Sequence, residues 1–257
     1  MKKITFFTIL ILILQIGHAQ NTRINDKNTI GWWTNFTTLK LDDKWSVHLE
    51  YQWRRVGVVK NWQQSMMRFG VNYQVNAKLQ LRVGYAHVET FAYGDIPIQS
   101  AGKTYTENRA YEMATITDKM GPVAISHRFV LEQRWTGGFS SPTVEKQDLS
   151  VFTNRFRYML RLQLPLAKTG ASKGLYVAVY DEIAINFGKN INKNTFDQNR
   201  LGLLLGYKLS PTFKIDGGYL SQILQLGRQI GGKNVFQYNS GIVLNTHLDF
   251  DLYKKKR

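Results

Sequence analysis

The chain has 257 residues, with 34 Lys and Arg against 18 Asp and Glu for a formal charge of +16, and it holds 13 Tyr, 14 Phe, 6 Trp, 5 Pro and no Cys. The lack of Cys excludes a disulfide scaffold, a thiolate zinc site, a Cys nucleophile and a lipid-modified N-terminal Cys. Its length suits one large β domain or two ordinary ones, and its basic balance suits either nucleic acid or anionic lipid headgroups as a partner.

Residues 1–19 read as a secretory signal peptide. Lys2 and Lys3 open it, Ile4–Ile16 is its apolar middle, and Gly17-His18-Ala19 places small residues where cleavage needs them, which predicts a mature start at Gln20. The apolar run is shorter than the roughly 20 residues that span a bilayer as a helix. No later segment approaches such a span, so any membrane insertion must be by strands.

Residues 20–28 form a polar lead, and residues 29–253 read as one β-barrel followed by a basic tail at 254–257. The strand-like segments are Thr29–Leu41, Lys44–Arg55, Trp62–Val75, Leu79–Thr90, Thr106–Thr117 and Val123–Trp135. After these come the stretch around Arg155–Leu164, then Gly174–Phe187, Phe196–Leu209, Phe213–Gln225 and Phe236–Leu252. Within them, apolar and polar residues alternate. Trp45, Val47, Leu49, Tyr51 and Trp53 oppose Ser46, His48, Glu50, Gln52 and Arg54, while Phe156, Tyr158, Leu160 and Leu162 oppose Arg155, Arg157 and Arg161. Successive strand side chains point to opposite faces, so each strand has one apolar face and one charged face. Only Thr106–Thr117 breaks the rule, because Glu107, Arg109 and Glu112 do not share a parity.

This pattern suits an antiparallel up-and-down transmembrane barrel, in which lipid-facing and lumen-facing residues alternate. Tight turns also alternate with longer polar loops, as periplasmic turns and extracellular loops do. Trp45 and Trp53 share a face; eight steps of about 3.3 Å, tilted, separate them by roughly 20 Å in depth, near the ~25 Å apolar band between aromatic girdles. Tyr85, Tyr158 and Tyr207 join them as expected girdle residues. A secreted soluble barrel of eight strands stays open as the alternative, because periodicity does not say which face meets lipid. Eleven segments conflict with the even count usual in bacterial barrels. An extra strand from Asn21–Asn28 would resolve this, so about twelve strands (ten to twelve) are expected.

Ten arginines share the polar parity: Arg54, Arg68, Arg82, Arg109, Arg128, Arg134, Arg155, Arg157, Arg161 and Arg200. Glu50, Glu107, Glu132 and Glu182 are interleaved with them. Charges confined in a lumen are costly alone, so these should pair in Arg–carboxylate bridges. The pairing either blocks the barrel or leaves a narrow conduit preferring anions.

Ser46, His48 and Glu50 lie at alternate positions on one strand face, which is the residue set of a hydrolase. Their parity aims them at the lumen, whereas a lipid hydrolase must open to the bilayer. His127 and His247 lack carboxylate-rich neighbours at ligand spacing, so no metal site and no cofactor is expected. Residues 227–233 approach a phosphate-binding loop, but Asn234 stands where Ser or Thr is required and a strand follows instead of a helix. Nucleic acid is not expected either, since the arginines form no exposed stripe with stacking aromatics.

Several phrases carry a family resemblance: Leu49-Glu50-Tyr51-Gln52, Glu107-Asn108-Arg109, Arg128-Phe129-Val130-Leu131-Glu132-Gln133-Arg134, Arg155-Phe156-Arg157-Tyr158, Phe196-Asp197-Gln198-Asn199-Arg200 and Gly218-Tyr219-Leu220-Ser221-Gln222. With them the chain resembles the outer-membrane family catalogued as domain of unknown function 2490, common in Bacteroidetes-type bacteria. The resemblance implies a barrel in the outer membrane, with no agreed activity and no catalytic residues. Glu112 departs from it, since an amide is expected there. The combined expectation is a structural or binding barrel in contact with outer-membrane lipids and lipopolysaccharide. An anion conduit is the second reading and a lipid hydrolase the third.

Overall fold

Alternation of side-chain character becomes curvature once the strands pair. The computed structural model describes residues 23–170, 173–191 and 193–253, so the expected signal peptide and the basic tail lie outside the described residues. In chain order the strands are β1 (Arg23–Lys40), β2 (Trp45–Val56), β3 (Asn61–Gln74), β4 (Leu79–Thr90), β5 (Tyr105–Met120) and β6 (Val123–Gly138). They continue with β7 (Leu149–Gly170), β8 (Lys173–Phe187), β9 (Phe196–Lys208), β10 (Phe213–Ile230) and β11 (Lys233–Asp251). Each pairs antiparallel with its chain neighbour, and β1 closes the barrel on β11. No helix among the described residues is long and apolar enough to cross a membrane.

The closing pair corrects the expectation of about twelve strands, all antiparallel. Among the described residues there are eleven, and β1 pairs β11 in parallel from Arg23↔Asn234 to Lys40↔Asp251 without a register shift. Parity requires this: if every consecutive pair is antiparallel, the first and eleventh strands run the same way. The proposed extra strand is the start of β1. No turn separates Asn28 from Thr29, and Arg23–Asn28, read as a polar lead, pair with β11. Asp26 is polar because it faces inward, where Gln237 Nε2 donates to its Oδ2 at 3.2 Å.

Turns at 41–44, 75–78, 121–122 and 209–212 share one end of the barrel with the close of β11. At the first, Asp42 Oδ1 accepts the backbone N–H groups of Lys44 and Trp45, each at 2.7 Å. Those two donors hold the Asp42 carboxyl below its ordinary range. The other end carries the start of β1 and the connections 57–60, 91–104, 139–148, 188–195 and 231–232. Residues 227–233, which in sequence approach a phosphate-binding loop, are nearly all strand. Only Gly231 and Gly232 turn, at φ of 55° and 75°, the left-handed pair that a two-residue hairpin needs.

The connection 91–104 does not stay outside. Tyr93 is buried and donates its hydroxyl to Gln237 Oε1 of β11 at 2.7 Å. Arg228 of β10 donates to the carbonyls of Pro97 and Ile98 at 2.7 and 3.3 Å. The loop therefore leaves β4, crosses the barrel mouth and is tied to the far wall.

Apolar and polar residues are distributed in reverse of a soluble barrel. Met67, Val83 and Leu205 are outward and 64%, 60% and 54% exposed, whereas Glu132, Gln237 and Asn239 are inward and wholly buried. The parity conflict on β5 resolves in the same terms: Glu107 and Arg109 face in, and Glu112 faces out. There Gln133 Nε2 donates to Glu112 Oε2 at 3.2 Å.

Of the expected girdle residues, Trp45 packs on Tyr73 at 4.7 Å near the turn end, and Trp53 packs on Trp33 at 4.8 Å near the loop end. Tyr207 lies next to the turn end of β9. Tyr85 and Tyr158 stand mid-strand, so they belong to the apolar band between the two levels. Sequence reasoning missed Trp62 and Phe91, stacked at 5.4 Å, and Trp135 and Phe152, packed tilted at 5.3 Å, both at the loop end.

Candidate functional site

Seven of the ten arginines on the polar parity become a cross-linked layer when the sheet closes, because side chains from opposite walls then reach one another. Glu132 of β6 is its centre. Arg155 Nε donates to Glu132 Oε2 at 2.6 Å and Arg157 Nη1 to Oε1 at 2.8 Å, both from β7. Arg68 of β3 and Arg109 of β5 stand at 3.8 and 4.0 Å from the same carboxylate. Arg157 also bonds Glu182 of β8 at 2.8 Å, and Glu182 takes Arg128 at 2.8 Å and Arg200 at 3.4 Å. Glu107 is held by Arg109 at 2.7 Å and by Arg134, and Glu50 meets Arg68 at 3.2 Å.

The sequence pairing of ten arginines with four glutamates omitted three aspartates. Asp197 receives Arg155 Nη1 at 2.7 Å and stands 3.7 Å from Arg134. Its orientation was not legible, because the β8–β9 register shifts between Ala184 and Ile185, and both Asp197 and Gln198 are buried. A bulge lets two consecutive residues face the same side, against the alternation rule. Asp216 binds His247 at 3.2 Å, Tyr176 at 2.8 Å and Arg161 at 3.4 Å. It shares a parity with Gly218, Leu220 and Gln222, so alternation alone could have found it. Asp26 is the third, hidden in the supposed lead.

The ion pairs join Glu50, Glu107, Glu132, Glu182 and Asp197 with seven of the arginines across β2, β3 and β5 to β9. Arg161 is held apart by Asp216, and Arg82 bonds Asn72 Oδ1. Arg54 bonds only amides. On the remaining wall an apolar cluster, Ile30, Trp32, Tyr176, Ala178, Leu204, Leu220 and Val243, fills part of the space inside β1 and β8 to β11. Gly202 and Gly206 make room for it, since a Cβ at either would fall 2.1 or 2.2 Å from the rings of Tyr180 and Tyr176. The lumen filling therefore combines the ion-pair layer, this apolar cluster and buried neutral polar groups such as Gln222, Gln237, Asn239 and Asn245, where an all Arg/Glu filling was expected.

The hydrolase candidates do not assemble. His48 Nε2 lies 3.2 Å from Glu50 Oε2, and Ser46 Oγ accepts from Asn72 Nδ2 at 2.8 Å. Serine and imidazole are engaged with different partners, inside the barrel.

Above the ionic layer, at the loop end, a cavity of about 400 Å³ opens beneath the connection 91–104. Its lining includes Arg54, Arg109, Arg134, Arg155, Arg200 and Arg228, and among the described residues Glu107 and Asp197 are its carboxylates.

Fold and site together define a closed all-β barrel with an apolar exterior and a charge-filled interior. The chain belongs to the family described as Protein of unknown function (DUF2490), whose profile matches residues 29–229. No curated protein matches it. Among solved structures it is similar to one described as the NanC porin in a rhombohedral crystal form, with 13% identity and a TM-score of 0.46 over 85% of this chain and 97% of that one. At that distance the likeness bears on neither solute nor activity.

Proposed function

We propose that this chain is a barrel of the bacterial outer membrane whose lumen is shut at mid-height, serving as a structural or binding barrel and not as an open diffusion pore. The observation that carries this reading is Glu132, wholly buried and within 4.0 Å of four arginines from three other strands. Its side chain has no exposure to water, so no aqueous path runs along this carboxylate. Outward exposure of Met67, Val83 and Leu205 supports a lipid surround, since in water such a surface would be a large apolar patch. Ten inward arginines against seven inward carboxylates favour anions in any current that leaks, which is the second reading. The engagement of Ser46 by Asn72 speaks against the hydrolase.

Refolded protein in planar bilayers should pass little or no current; a large, steady conductance would overturn the closed lumen. In cells, the mature chain should begin at Gln20 and fractionate with the outer membrane. Its recovery as a soluble protein after osmotic shock would end the membrane reading.

Lipopolysaccharide is the proposed surface partner, held by Lys60, Lys146, Lys189, Lys193 and Lys233 at the loop end. Lys103 and Arg228 also lie in or beside the long connections but are engaged elsewhere: Lys103 Nζ donates to the Val144 carbonyl at 2.7 Å and Arg228 holds the inward loop. Exposed charge attraction is screened beyond about 8 Å at physiological ionic strength, so affinity should fall as salt rises. Salt-independent binding would rule the contact out.

A further inference from the structure

The ionic layer is unevenly paired, and the uneven place is the cavity. Arg54 is 4% exposed and lines the cavity, yet no carboxylate oxygen lies within 4.0 Å of it among the described residues. Three of its five N–H donors are engaged, all by the neutral amide oxygens of Gln52 and Gln64. Its guanidinium lies 3.9 Å over the Trp32 ring, whose Nε1–H is fixed on Gln63 Oε1 at 2.6 Å. Arg200 lies over the same ring at 5.1 Å; its single carboxylate contact, 3.4 Å to Glu182, is shared with Arg128 and Arg157. The cavity's own acids, Glu107 and Asp197, are already taken by Arg109, Arg134 and Arg155. A buried cation without a counter-ion is costly, and the ring face relieves only part of that cost.

We propose that the loop-end cavity is a binding site for a small anion, a carboxylate- or phosphate-bearing solute whose charged group seats between Arg54 and Arg200. It rests on the closed-lumen reading, which makes the cavity a dead-end site and not a stage of transit. The volume of about 400 Å³ falls in the range of small-molecule sites and admits a compact organic anion. The tied loop at 91–104 narrows its entrance, and Gln222 and Gln225 supply neutral hydrogen-bonding groups on the β10 side. Guanidinium forks match both carboxylate and phosphate oxygens, so the chemistry names the charge and not the solute.

The test is isothermal titration calorimetry on the refolded full chain in neutral detergent. Gluconate is the carboxylate probe, inorganic phosphate the competitor and sorbitol the uncharged control. Gluconate should bind saturably, phosphate should displace it, and sorbitol should give no saturable heat. Arg54→Gln and Arg200→Gln should each weaken gluconate by roughly tenfold or more, as loss of a charge-assisted contact does. Arg54→Lys should recover part of the loss. Arg161→Gln, outside the cavity, should leave affinity unchanged, and far-ultraviolet circular dichroism of each variant confirms that it has folded. Equal heats for gluconate and sorbitol, or unaltered affinity in folded Arg54→Gln, would overturn the site. A lipopolysaccharide titration weakened by Arg54→Gln, with no gluconate binding, would overturn the small-solute assignment in favour of a headgroup phosphate. Conductance measured on the same preparation keeps the two failures apart: gluconate binding with an open channel sinks the closed lumen, and a closed channel without gluconate binding sinks the site.

Discussion

Glu132→Ala should destabilise the barrel by about 3–5 kcal/mol, the usual cost of removing one partner from a buried ion pair. The upper part of that range is expected here, because one carboxylate serves Arg68, Arg109, Arg155 and Arg157 together. Its loss leaves Arg155 with Asp197 and Arg157 with Glu182, while Arg68 falls back on Glu50 and Arg109 on Glu107. The surplus of positive charge at mid-height then grows by one. Urea unfolding in detergent reads the stability. In planar bilayers any residual current should prefer anions more strongly than in the parent protein. Unchanged stability would mean that the layer is solvated and loosely paired; selectivity for cations would mean that the arginine face is not the lumen.

Leu203→Arg should cost about 2–4 kcal/mol of stability in lipid, the depth-dependent cost of a cation on the outer face near the bilayer midplane. Leu203 is outward and 50% exposed, and its cross-strand neighbours Val179 and Tyr219 offer no countercharge. Leu160→Arg sits on the same outer face but opposite Asp181, an outward carboxylate, and so should cost less. Gln163→Arg points into the lumen beside Arg161 and should cost least of the three in a reversible refolding titration into vesicles. Equal losses at Leu203 and Gln163 would show that inside and outside have been confused.

That comparison shows how far the chain could be read in one dimension. Alternation assigned Trp45, Leu49 and Tyr51 outward and His48, Glu50 and Arg54 inward, and the closed sheet keeps every one of those sides. The reading failed where the period of two is broken. Asp197 lies at a bulge that changes its face, and Arg23–Asn28 read as a lead because an inward-facing strand in a charged lumen is as polar as a loop. Glu112, which upset the parity of β5 in sequence, is an outward carboxylate held by Gln133. It is a true exception to the pattern, not a sign of weak strand character.

From residue order alone the chain was readable as a barrel of alternating strands with the arginines gathered on one face, because successive side chains of a regular strand point to opposite sides. Residue order also placed Glu50, Glu107, Glu132 and Glu182 among those arginines. The number of strands that close the barrel became known from the closed fold, since the parallel β1–β11 pair joins residues some two hundred positions apart. The closed fold alone decided which charges meet, because Arg68 and Glu132 come from strands that are not neighbours in the sheet. It also turned the connection 91–104 inward and left Arg54 against Trp32 without a carboxylate. Those outcomes depend on distances across the lumen, and such distances exist only once the sheet has closed.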